Sequence, residues 1–177
     1  MSRSLEDLNK EFRKDVDLLL TYCSSQHITM VPFCTLRSVQ EQAVLWRQSR
    51  RIQVIEKTIK LLEKQKAYYL AQVLEEVGPQ NGEWRTDAPP GFSWHNFGFA
   101  IDSYVSVQTE KGEEAIWGSD HVGYEVYSTE AIRMGLTSGR YWKKDDCVHV
   151  QKPSKTVLEH FQNYAMIDQI QQRMNEK

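Results

Sequence analysis

The chain has 177 residues, 40% hydrophobic and 26% charged, with 22 Lys and Arg against 24 Asp and Glu for a formal charge of −2. That length can bury a core without staples, and we expect one domain over residues 1–177. No apolar run approaches the roughly 18–20 residues of a membrane span, and the charge offers no basic field for nucleic acid, so neither membrane insertion nor nucleic-acid binding is expected.

The first fifteen residues are charged at almost every turn and lack the apolar core of a secretory signal, which predicts synthesis in the cytosol. Ser4 with Glu6 and Asp7 reads as a helix start, and Leu5, Leu8, Phe12, Val16, Leu19 and Cys23 recur at helical spacing to about Ser24. Ile28 to Thr35 reads as a strand that Pro32 confines to an edge or an early end. A short helix is predicted over 38–48. A longer one follows from Ile52 to Val77, within a helical insertion of about 50–78, and Gly78-Pro79 ends it.

Gln80 to Gly91 is rich in Asn, Gly, Asp and Pro and reads as a loop leading to a strand over Phe99–Val105. Ser128 can cap a short helix through Met134, Cys147–Gln151 alternates like a strand, and Pro153-Ser154 opens a final helix. Helices separated by strands that do not alternate as βαβ units predict an α+β fold with a small antiparallel sheet. Cys23, Cys34 and Cys147 are odd in number and widely spaced, so all three are read as reduced thiols.

Two segments carry chemistry. Ser93-Trp94-His95-Asn96-Phe97-Gly98-Phe99-Ala100-Ile101-Asp102 places a His at a strand entry and an Asp inside the strand, and Asp145-Asp146-Cys147-Val148-His149 adds a second His. A catalytic zinc takes about three N or O ligands and keeps one position open. If the strands of Asp102 and His149 are antiparallel neighbours, facing side chains lie about 5 Å apart and can share an ion. Two imidazoles and one carboxylate leave the zinc charge partly unneutralised, which acidifies a water in the open position.

Asp146, three residues before His149, is placed to act as general base, with Asp145 as its rival. Arg37 offers a bidentate fork for an oxyanion or a substrate carboxylate, with an ordinary surface ion pair as the bland alternative. His121 in Gly-Ser-Asp-His-Val-Gly reads as a polar loop, His27 and His160 as structural or solvated, and Cys147 as a small buried hydrophobe. Trp94, Phe97 and Tyr104 are expected in the core, and the basic run Arg47–Arg51 at a solvated helix end.

Ser93 to Asp102 resembles the SxHxxGxAxD motif of the zinc D-alanyl-D-alanine carboxypeptidase and L-alanyl-D-glutamate endopeptidase family, and Asp146 to His149 resembles its second motif. Gly135-Leu136-Thr137, Gly139 and Trp142 are similar to a run in the endopeptidase branch, and Leu36-Arg37-Ser38 with Gln42 and Leu45 to the family's Arg-Ser stretch. The resemblance implies a hedgehog/DD-peptidase type of α+β fold and one Zn2+ per chain on His95, Asp102 and His149. It also implies Asp146 as catalytic base and substrate contacts from Arg37, Ser93, Gln42 and Trp142.

The implied substrate is a peptidoglycan stem peptide, cut between L-alanine and D-glutamate by an endolysin-like monomer that reaches the wall through another protein's pore. The rival readings are a D-alanyl-D-alanine carboxypeptidase with the same metal chemistry and a non-catalytic zinc-containing binding module.

Overall fold

The computed structural model describes residues 1–176. In chain order its elements are α1 (Lys10–Ser25), β1 (Thr29–Cys34), α2 (Val39–Arg47), α3 (Ile52–Lys64), α4 (Tyr68–Glu76), β2 (Ala100–Thr109), β3 (Gly112–Ile116), α5 (Val122–Arg133), β4 (Thr137–Ser138), β5 (His149–Gln151), α6 (Val157–Phe161) and α7 (Tyr164–Asn175). Seven helices and one antiparallel sheet of five strands among the described residues make the fold α+β. The chain forms two compact units, Met1–Leu36 with Phe97–Ser154, and Arg37–Asn96 with residues 155–176.

The first unit holds the whole sheet. Its strands run β1-β2-β5-β4, with β3 also on β2, so the long β2 is the centre and β1 an edge, as Pro32 required. The register shifts between Pro32 and Cys34, a local irregularity where the proline cannot donate to the ladder. Ile101 and Val105 of β2 and Val150 of β5 bury against Phe12, Val16 and Leu19 of α1 and Tyr124 and Tyr127 of α5. Side chains alternate along a strand, so Asp102, His149 and Gln151 lie on the opposite face.

Two helix starts in this unit differ from expectation. Ser4 does cap a turn, its hydroxyl accepting from Glu6 N–H at 3.2 Å, but the turn is a 3-10 segment over Leu5–Asp7. Asn9 restarts the chain as α1 by accepting from Glu11 N–H at 3.0 Å. Ser128 caps nothing: α5 begins at Val122, because His121 Nδ1 accepts from Gly123 N–H at 3.0 Å, and Ser128 is buried inside the helix. His121 thus belongs to a helix cap rather than to a loop. Strand β3, unforeseen, returns along β2 through a two-residue hairpin turn in which Thr109 pairs with Gly112.

In the second unit, α4 packs against α2, α3 and α7. The single helix expected over 52–77 is two, because Lys66 adopts φ 61° and Ala67 N–H donates to Leu62 C=O at 2.8 Å. The turn lets Leu62 and Leu70 both bury, and no Gly or Pro announces it. The last helix is likewise divided, by Gln162 at φ 53°, and its first part opens on a Thr156–Glu159 capping box.

The loop before Gly91 is pinned from three positions, two on α2 and one, Arg50, just beyond its end. Gln42 Nε2 donates to Ala88 C=O at 2.7 Å, Trp46 Nε1 to Asp87 C=O at 3.2 Å and Arg50 to Thr86 C=O at 2.7 Å. The Arg50 guanidinium lies 4.2 Å from the Trp46 ring centre and 4.1 Å from that of Trp84, a cation–π sandwich. Arg47 is buried and donates to Leu74 C=O at 2.7 Å, so within this basic run Arg47 is not solvated, whereas Arg51 is exposed. A buried guanidinium is retained because it satisfies a carbonyl near the end of α4.

Candidate functional site

On the sheet face opposite that core, three ligand-type residues stand in one row. Cys34 of β1 is the cross-strand partner of Asp102 of β2, and Asp102 is the partner of His149 of β5. All three are buried. Asp102 Oδ1 lies 2.9 Å from His149 Nδ1, which matches the antiparallel neighbour relation that a shared ion requires. Cys34 was missed as a candidate because a strand register cannot be read from spacing.

His149 is held from several sides. Its Nε2 lies 3.0 Å from Gln151 Oε1, the Trp142 ring centre lies 5.0 Å from its imidazole, and its backbone N–H donates to Asp146 C=O at 3.1 Å. Gln151 was also overlooked, although its position two residues after His149 in a strand signals the same face. Trp142 leaves 42% of its surface exposed, enough to present one side of its ring to a bound molecule while the other rests near His149.

Asp146 is exposed, yet its backbone is fixed, since its N–H donates to Gly139 C=O at 3.0 Å. A Cβ at Gly139 would meet the Asp146 carbonyl oxygen at 2.5 Å and His149 Cβ at 3.1 Å. Only glycine fits against the Asp146–His149 turn. Between these residues Cys147 is buried, and burial, with Asp145 and Asp146 nearby, pushes its thiol up to about 11. It stays protonated at neutral pH and behaves as the small hydrophobe expected.

Tyr104, two residues along β2 from Asp102, shares that residue's face. It is half-buried and stacks 5.0 Å from Trp117 and 6.2 Å from Phe33.

The second unit carries the other candidates. Arg37 is buried to 9% exposure, its Nη1 donates to Gln42 Oε1 at 2.8 Å, and its backbone N–H donates to His95 C=O at 3.1 Å. Asn96 Nδ2 donates to Arg37 C=O at 2.9 Å. Gln42 is fully buried, and its amide nitrogen is taken by Thr86 and Ala88, so it orients Arg37 from behind. His95 is buried on the 3-10 turn Trp94–Phe97, where Ser93 Oγ accepts its backbone N–H at 3.4 Å.

Trp94 is buried, its Nε1 donating to Lys155 C=O at 2.7 Å while His160 packs edge-on against its ring. Gly98 sits at φ +68°, and in the first unit a Cβ there would meet Asp7 C=O at 2.9 Å. The glycine of the first motif is therefore required by backbone conformation and by close approach alike.

A carboxylate and an imidazole paired on one sheet face, in an α+β fold, have donor chemistry that could hold a metal ion. The family model VanY, D-alanyl-D-alanine carboxypeptidase, matches residues 5–136. The chain belongs to this family, and is thereby a peptidase of the peptidoglycan-directed class. The matched span contains Arg37, Gln42, Ser93, His95 and Asp102 and ends before Trp142, Asp146 and His149. No curated protein matches the chain.

Proposed function

We propose that the protein is a zinc metallopeptidase of peptidoglycan stem peptides that cleaves the L-alanyl-D-glutamate bond, with one Zn2+ per chain held by His95, Asp102 and His149. The observation that carries this reading is the direct pairing of Asp102 with His149, Oδ1 to Nδ1 at 2.9 Å, in a member of the VanY family. When bound, zinc supplies Lewis acidity toward water and the scissile carbonyl.

Asp146 takes the proton of the attacking water and delivers it to the leaving amine, from a turn whose backbone Gly139 and His149 hold still. Arg37, oriented by Gln42, presents its guanidinium to a substrate carboxylate or to the oxyanion. Ser93 and Trp142 complete the substrate contacts. The enzyme acts as a monomer on the cell wall and reaches its substrate through a pore of holin type.

A second bond is favoured by one finding, the description of the matched family as a D-alanyl-D-alanine carboxypeptidase. In that case Arg37 holds the terminal carboxylate. Digestion of purified peptidoglycan by zinc-loaded protein, metal-free protein and His149→Ala separates the readings. New D-glutamate amino termini that need both metal and His149 support the endopeptidase, and released D-alanine supports the carboxypeptidase. Zinc bound without any hydrolysis replaces both with the binding module.

Asp146→Asn keeps the shape of the side chain and removes the base, so kcat falls by about 10²–10⁴. Unchanged turnover assigns the proton transfer to another group.

A further inference from the structure

We propose that Gln151 is a positioning residue that fixes which nitrogen of His149 faces the metal. The inference rests on the zinc reading above and adds to it the residue and the atom. Gln151 Nε2 lies 2.6 Å from Pro153 C=O, and its Oε1 lies 3.0 Å from His149 Nε2. A carbonyl can only accept, so the NH2 of the amide faces Pro153 and its oxygen faces the imidazole. An amide oxygen also only accepts. His149 Nε2 therefore carries a hydrogen, and Nδ1, 2.9 Å from Asp102 Oδ1, is the nitrogen that remains to hold a metal.

The Gln151 contact thus selects the tautomer that presents Nδ1, and Asp102 supplies the negative charge that draws a divalent ion to it. Gln151 is itself buried, on the same strand face as His149, and its amide cannot swing away without leaving Pro153 C=O unpaired. Pro153 also closes β5 just beyond Gln151, since it has no N–H to extend the ladder. The chain Pro153 C=O, Gln151, His149 Nε2 is a relay from backbone to imidazole that fixes the orientation of the ring.

The test uses zinc ion itself as the probe, so that its outcome does not depend on peptidase activity. Zinc affinity is measured by competition with a chromophoric chelator for the wild type, His149→Ala, Gln151→Met and Gln151→Glu. We expect Gln151→Met to bind zinc about 10- to 100-fold more weakly. Gln151→Glu, which keeps an acceptor for Nε2–H, lies between Gln151→Met and the wild type. Nitrogen-15 NMR of the ring then reports Nδ1 as the ligated atom and Nε2 as the protonated one in the zinc-loaded wild type.

Zinc binding that His149→Ala weakens but Gln151→Met leaves unchanged overturns the role of Gln151 and leaves the metal centre standing. Ligation through Nε2 in the wild type also overturns it, and needs no variant to fold. Absence of zinc binding by the wild type overturns the metal reading, and this inference with it.

Discussion

Gly139 and Arg37 show how little freedom single residues have around the candidate centre. An alanine at Gly139 puts its Cβ 2.5 Å from the Asp146 carbonyl oxygen, far inside van der Waals contact, and the Asp146–His149 turn must move to admit it. Overpacking of this kind costs about 1–3 kcal/mol, and here the displacement falls on the proposed base and a proposed ligand together. Gly139→Ala is therefore expected to lower both the urea midpoint and zinc affinity. A loss of stability with zinc affinity intact would show that the turn relaxes away from His149. Arg37→Lys keeps the charge but loses the fork, of which Gln42 holds one arm. A raised KM with a smaller change in kcat is the expected signature of a substrate-carboxylate contact, whereas a fall in kcat alone points to the oxyanion.

Helix α4 illustrates how an element takes from elsewhere what its own sequence lacks. Its N-cap residue, Ala67, has no side-chain acceptor, and Asp168 of α7 supplies one, accepting Leu70 N–H at 2.7 Å. Loss of a cap costs about 0.5–2 kcal/mol, so Asp168→Ala should lower stability by that order, measured by urea unfolding. Burial raises the Asp168 carboxyl above its ordinary value, against the lowering effect of the Leu70 and Tyr69 N–H groups. A carboxyl raised in the folded state binds its proton more tightly there than in the unfolded chain. Its contribution is therefore fully present below the unfolded value and lost as pH rises through the folded one. Asp168→Asn removes that decline, and urea midpoints across the acid range should fall with pH in the wild type more steeply than in the variant.

At the scale of the whole molecule, the proposed zinc, bound only by the folded chain, would add stability by mass action, about 2.7 kcal/mol when free zinc stands at 100 times its dissociation constant. Chelation should lower the melting temperature of the wild type and leave that of His149→Ala unchanged. An equal effect on both proteins would locate the stabilising ion elsewhere. The chain passes between its two units at Leu36/Arg37, Asn96/Phe97 and Ser154/Lys155, and Arg37 and His95 both stand within two residues of such a crossing.

The sequence by itself determined the α+β class and the strand that carries Asp102, and it limited β1 to an edge or an early end through Pro32. It also set out the two motifs by which the chain resembles its family, since alternation, proline chemistry and residue type are local properties. It missed the break at Lys66, because a left-handed lysine carries no signal of its own and is chosen by the burial of Leu62 and Leu70 on either side. It misplaced the start of α5, whose cap is a histidine rather than the serine that propensity favours.

What only the tertiary structure decided was register. Cys34 stands opposite Asp102, Asp102 opposite His149, and Gln151 reaches back to His149, because a pairing shifted by one residue would turn every side chain of the strand to the other face. That choice is made by the core on the far side of the sheet, where Ile101, Val105 and Val150 must be buried at once.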